Sequence, residues 1–188
     1  MSETPLLWYL NRASGLVLLV LLTLTLVLGV LAAGRSTPPC WPRFATAALH
    51  ANLAGVSAAL LAAHILTAVV DGFVDIQPVD AVVPFLSAYH PLWLGLGTLS
   101  STLLLTAVLT AAARRLLPPM VWRRTHLLVY LAWPLALLHG LGMGSDTGQR
   151  PVLILCCAAA LAVFLAVVAT LVRAARAGPS VNSAPGQP

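Results

Sequence analysis

The sequence predicts an all-α integral membrane protein, a five-helix transmembrane bundle with almost nothing outside the bilayer. Composition is the first ground: the 188 residues are 60% hydrophobic and 8% charged, with a mean hydropathy of +0.94. One soluble core of this size cannot hide that much apolar surface. Length is the second, because crossing about 30 Å of hydrocarbon takes roughly 20 apolar residues. Charge-free windows of that length occur at 13–34, 44–70, 81–113, 125–145 and 151–172. No strand pattern, low-complexity repeat or second domain competes with this reading.

The first span, 13–34, is expected to stay in the mature chain. Apart from Arg12 it lacks a basic leader region, and its apolar run exceeds the 7–15 residues of a signal-peptide core. The small residues "LAAG" at 31–34 are the one feature that fits cleavage. "RSTPPCWPR" (35–43) reads as a Pro-rich turn into the second span, 44–70. Pro84, His90 and Pro91 delay the third span to 92–113. A second Pro-rich turn, "RRLLPPMVWRR" (114–124), leads into the fourth span at 122–142, and the fifth covers 151–173. The membrane domain is thus 1–176, and "AGPSVNSAPGQP" (177–188) is a disordered cytoplasmic tail by composition. Cys40, Cys156 and Cys157 form neither a CxxC motif nor a paired framework, so no thiolate metal site or disulfide scaffold is indicated.

Charge sets the expected orientation. All ten basic residues are arginine. With five spans, one side holds Arg12, Arg150 and every acid, namely Glu3, Asp71, Asp75, Asp80 and Asp146. The other side holds Arg35, Arg43, Arg114, Arg115, Arg123, Arg124, Arg173 and Arg176. Short arginine-rich loops stay cytoplasmic. The expectation is a multi-pass protein of the cell membrane with its N-terminus outside and its C-terminus in the cytoplasm. Nothing in the sequence points to nucleic acid.

Four histidines interrupt the apolar spans. His50 and His64 are 14 residues apart in the second, and His126 and His139 are 13 apart in the fourth. Both spans run in the same direction, so His50 and His126 share one depth while His64 and His139 share another. At about 1.5 Å per residue the levels lie roughly 20 Å apart, each around 5 Å inside a core of about 30 Å. Ionisable groups at such depths are costly, usually functional, and need a partner. Haem iron is one such partner, because it takes axial histidine; each level offers one haem b two ligands. Between His50 and His64, the same face carries Ala54, Ser57, Ala58 and Leu61, mostly small, which leaves room for a flat macrocycle. Fourteen residues return His64 to within about 40° of His50, whereas thirteen leave His139 about 140° from His126. Pro134 lies between the latter pair, where a kink is expected. Either the helix is re-phased at Pro134 or the two haems sit at different azimuths. The competing use of such histidines is as polar groups that knit helices together.

These stretches carry a family resemblance, from about Trp8 to Gly148. "NRASGL" opens the first span, "LH" and "AAH" mark the ends of the second, and "VPFLSAYHPLWLGLGT" leads into the third. "WRRTHLLVYLAWPLALLHGL" forms the fourth and "GSDTG" follows it. The chain resembles the ferric reductase-like transmembrane domain, shared by ferric reductases, NADPH oxidases and the haem subunit of the periplasmic methionine-sulfoxide reductase system. The resemblance implies two b haems, held by His50 with His126 and by His64 with His139, that carry electrons across the membrane. It departs from the family at His90, where many members carry arginine; His90 is read as a polar group near the outer haem's propionates or the acceptor, or as a solvated loop residue. It also lacks a Gly-rich dinucleotide fingerprint after its last span. Electrons are therefore expected from a separate reduced flavoprotein or from quinol, the flavin or quinone coming from a partner or the membrane. The acceptor is expected outside: a partner redox protein, a ferric chelate or oxygen. Arg12 is a candidate partner for an outer propionate, and Arg124, with Arg114, Arg115 and Arg123, for inner propionates or an acidic donor, unless these four only set topology.

No general acid or nucleophile is readable, so any oxidoreductase chemistry would belong to the haem iron. Two other readings stand beside this one. The first is a quinol-oxidising dihaem cytochrome b subunit. The second is a non-redox permease or assembly subunit whose histidines line a proton or metal path. Such a path wants polar groups at intermediate depth, and spans two and four offer only Asn52, Ser57, Thr67 and Tyr130.

Overall fold

The computed structural model describes residues 6–33, 42–71, 74–144 and 148–176. They form six α-helices: α1 (Leu6–Ala33), α2 (Arg43–Val70), α3 (Pro91–Ala112), α4 (Pro119–His126), α5 (Val129–Met143) and α6 (Arg150–Arg176). A 3₁₀ turn, Pro78–Ala81, precedes α3, and no strand occurs among the described residues. Five units are long and apolar enough to cross a membrane, with α4 and α5 joined as one span from Pro119 to Met143. The architecture is the all-helical, five-span bundle that composition predicts. The turn at 35–41 with Cys40, the acids Glu3 and Asp146, and the tail at 177–188 lie outside the described residues.

Helix ends follow local chemistry. α1 starts at Leu6 instead of 13, because Arg12 lines an internal cavity and does not mark a membrane boundary. α3 starts on Pro91, one residue before the expected Leu92; proline suits the first helical position, where its missing N–H has no helical acceptor to lose. His90 caps it in a left-handed conformation, φ 43°.

The fourth span holds the one departure from the expected helix geometry. The chain runs as helix straight through Pro134, and the interruption lies at Leu127–Leu128, between α4 and α5. There the backbone tightens to three-residue hydrogen bonds, Leu128 N–H to the Thr125 carbonyl (3.1 Å), Tyr130 to Leu127 (3.1 Å) and Leu131 to Leu128 (3.0 Å), while the Leu127 N–H is shared between the Arg123 and Arg124 carbonyls (both 3.2 Å). A residue in such a turn advances about 120° where an α-helical one advances about 100°. Three such steps recover roughly 60° of the offset of about 140° between His126 and His139. The departure from α-helical bonding lies at this turn, and the helix is continuous through Pro134.

Packing divides the bundle. α2 lies along α1 and α5 lies along α3, while α1 also touches α5 and α6. α2 and α5 have no extended contact of their own among the described residues. The core runs up α1 as Leu18, Leu22, Leu26 and Val30, spaced every fourth residue, against Trp133 of α5 and Ala159 and Ala166 of α6. Large apolar side chains such as Phe44, Leu66, Ile154, Phe164 and Leu171 point outward, a surface that suits lipid better than water.

Candidate functional site

The four histidines occupy two levels in the gap between α2 and the fourth span. One level lies toward the end that carries Asp71, Asp75 and Asp80, called here the acid end. The other lies toward Arg114, Arg115, Arg123 and Arg124, the arginine end.

At the acid end, His64 of α2 and His139 of α5 line one cavity of about 190 Å³. Each ring is tied from behind by a neighbouring helix. His64 Nδ1 is 3.2 Å from the Asn11 carbonyl and 3.1 Å from Ser14 Oγ, whose own hydroxyl donates to the Asn11 carbonyl at 2.8 Å. The Asn11 amide donates back to the His64 carbonyl at 2.8 Å and to the Thr67 hydroxyl at 3.1 Å. His139 Nδ1 donates to the Trp93 carbonyl at 2.8 Å. Each ring also rests on a glycine. A Cβ on Gly15 would stand 3.2 Å from His64 Cε1, and one on Gly97 would stand 2.5 Å from His139 Nδ1. Only glycine leaves the Gly97 position open.

At the arginine end, His50 of α2 repeats the pattern. Its Nδ1 donates to the Thr25 carbonyl at 2.9 Å, and a Cβ on Gly29 would stand 3.2 Å from its Cε1. His126, the last residue of α4, faces it with ring centroids 6.1 Å apart and planes at 71°. Trp122 stacks on the far side of His126, with centroids at 5.8 Å and planes at 27°. His126 Nδ1 is buried and lies by the Ala107 backbone without hydrogen-bond geometry, and Trp122 Nε1 is likewise buried with no acceptor among the described residues.

A carbonyl can only accept, so the proton on His50, His64 and His139 is on Nδ1. Nε2 is then the nitrogen with a lone pair free for a metal, and the carbonyl behind fixes ring orientation and tautomer. The 6.1 Å between the His50 and His126 rings leaves room for one atom bonded to both at about 2 Å, the order of a metal–imidazole bond. No cluster of three or more histidine, cysteine, aspartate or glutamate side chains exists among the described residues. Each level thus brings two histidines together, with no third such side chain among the described residues.

The other expected residues fare differently. Arg12 lines the acid-end cavity beside His64 and His139. His90 is exposed at the head of α3 and packs edge-on against Tyr89 (centroids 4.6 Å); Tyr89, and not His90, reaches the cavity. Arg114, Arg115, Arg123 and Arg124 are all exposed. Ser57, midway between the α2 histidines, is buried and bonds its own helix at the Leu53 carbonyl (2.7 Å). Between the levels Trp133 is buried, its indole N–H donating to Thr23 Oγ1 of α1 at 3.0 Å.

Reading histidines alone misses the second tier: Asn11, Ser14, Gly15, Thr25, Gly29, Trp93 and Gly97. Two of the seven carry a sequence signal. Gly15 and Gly29 are 14 residues apart, the spacing of His50 and His64. In an antiparallel hairpin that equality puts one glycine behind each histidine. No protein-family model, curated protein or solved structure matches the chain.

Proposed function

We propose that this chain is a dihaem membrane subunit that carries electrons from one face of the membrane to the other, as its likeness to the ferric reductase-like transmembrane domain implies. The observation that carries the reading is the double pair of facing imidazoles, three of the four held by a carbonyl so that Nε2 is left for a metal. Two imidazoles per level, with no third such ligand among the described residues, make a poor site for a bare ion. They suit a metal whose remaining ligands come from a macrocycle. The gap between α2 and α5, backed by Gly15, Gly29 and Gly97, has the form such a flat group needs.

Haem, when bound, supplies one-electron iron chemistry at each level. The residues do the rest. His50 with His126 and His64 with His139 would hold it. Asn11, Thr25 and Trp93 orient through their carbonyls, and Arg12 is placed to neutralise a carboxylate in the acid-end cavity. Leu18, Leu22, Leu26 and Trp133 keep the space between the levels dry. With the arginine end cytoplasmic, outward electron movement gains about 2.3 kcal/mol per 100 mV when the inside is negative. A separate flavoprotein or quinol is the donor, and a partner redox protein, ferric chelate or oxygen outside is the acceptor.

The test is a dithionite-reduced minus oxidised spectrum of the purified full chain with haem quantitation. Two b haems per chain are expected, falling to one in both His64→Ala and His50→Ala. A colourless protein would sink the reading and leave the histidines as a polar seam between spans.

A further inference from the structure

We infer that His126 is an exchangeable ligand, and that the haem at the arginine end opens there to take a small π-acceptor diatomic such as carbon monoxide, while the haem at the acid end stays closed. This rests on the haem reading above and concerns which of its four ligands is held least.

Three histidines give their Nδ1–H to a backbone carbonyl at 2.8–3.2 Å; His126 Nδ1, beside the Ala107 backbone, makes no hydrogen bond of proper geometry among the described residues. The cause lies in α3. Thirteen residues separate His139 from His126, and α3 runs antiparallel to the fourth span, so the counterpart of Trp93 lies at 106–107 and that of Gly97 at Thr110. The glycine is thereby replaced by a β-branched residue. The Thr110 hydroxyl in turn lies 2.7 Å from the Thr106 carbonyl and 3.2 Å from that of Ala107, the carbonyl beside His126. Thr125 donates to Thr110 at 3.1 Å and completes a hydroxyl chain. The Ala107 carbonyl beside His126 thus already carries a contact from the Thr110 side chain.

His126 also closes α4, directly before the tightened turn at Leu127–Leu128. Its ring is steadied by the Trp122 stack and by no directional bond. Loss of such an outer hydrogen bond typically weakens metal binding about 10–100-fold. The exchange is a plain substitution: the iron–Nε2 bond to His126 breaks, an iron–carbon bond to carbon monoxide forms, and no electron moves. His50, anchored on Thr25 and resting on Gly29, remains bound.

The experiment treats the dithionite-reduced full chain with carbon monoxide and follows the visible spectrum by stopped flow, with haem counted beforehand. One of the two haems is expected to react. In His126→Ala the reactive share remains one haem and the reaction is faster by about tenfold or more. Should that variant lose its arginine-end haem, carbon monoxide binding is expected to vanish with it. The inference is overturned if neither haem reacts, if both react alike, if His126→Ala raises the reactive share to two, or if reaction persists after the arginine-end haem is lost. A wild-type chain without haem overturns the electron-carrier reading itself, and this inference with it.

Discussion

At the acid end both histidines hand a proton to a backbone carbonyl and both lie on glycine, whereas at the arginine end only His50 does. The difference follows from which hairpin supplies the support. α1 and α2 repeat one arrangement: Asn11 and Gly15 serve His64, and Thr25 and Gly29, each 14 residues on, serve His50. α3 and the fourth span do not repeat theirs, because Thr110 stands where Gly97 has its counterpart and the span is interrupted after His126. Ligand identity alone therefore does not make the two levels equivalent. The support behind each ring does that, and it is complete at one end only.

The largest effect is expected from Gly97→Ala. Its Cβ would stand 2.5 Å from His139 Nδ1 and 2.6 Å from Cε1, so the ring and its bond to Trp93 must give way. The acid-end haem should be lost and the arginine-end haem kept, giving one haem per chain by quantitation. Gly29→Ala is the milder counterpart. At 3.2 Å from His50 Cε1 the ring need shift only slightly, so both haems should remain, with affinity at the arginine end reduced by about tenfold. Equal haem loss in the two variants would erase the distinction between tight and loose support.

Much of this arrangement can be read along the chain, and its limits have physical causes. Five apolar windows and four histidines at two depths follow from length and spacing alone. Gly15 and Gly29 add the support of α2 to anyone who compares spacings. The fourth span is harder. Pro134 marks itself, yet losing one N–H is a tolerable defect in a membrane helix whose neighbours re-satisfy the backbone, and the helix runs through it. The tightened turn falls on Leu127–Leu128, two residues with no breaking tendency of their own. His90 draws attention as a lone loop histidine, but it is Tyr89 next to it that faces the cavity. The state of His126 depends on where Thr110 falls in a packed hairpin, and no single-segment pattern contains that.

Thr23→Val is expected to have an intermediate effect that leaves the two ends alike. It removes the acceptor of the Trp133 indole between the levels. Interhelical hydrogen bonds in membranes contribute on average about 0.6 kcal/mol and at most about 1.7. Thermal unfolding in detergent should show a loss of that order, with haem count and carbon monoxide reactivity unchanged. A selective loss at either level would mean that Trp133 belongs to that level and not to the shared core.

The smallest and most specific effect should come from Thr110. Its hydroxyl contacts the Thr106 and Ala107 carbonyls, and it accepts from Thr125. Thr110→Ala removes both the hydroxyl and the branched bulk at a gain in helix propensity, which opens the approach of His126 Nδ1 to the Ala107 carbonyl. His126 should then be held as His139 is held, and carbon monoxide should react with the arginine-end haem more slowly, by up to about tenfold. Thr110→Ser keeps the hydroxyl and should behave as the wild type. If both variants slow the reaction alike, the bulk of Thr110 and not its hydrogen bond keeps His126 from α3. If neither does, the looseness of His126 originates in the tightened turn at Leu127–Leu128, and it is that turn which makes the arginine end differ from the acid end.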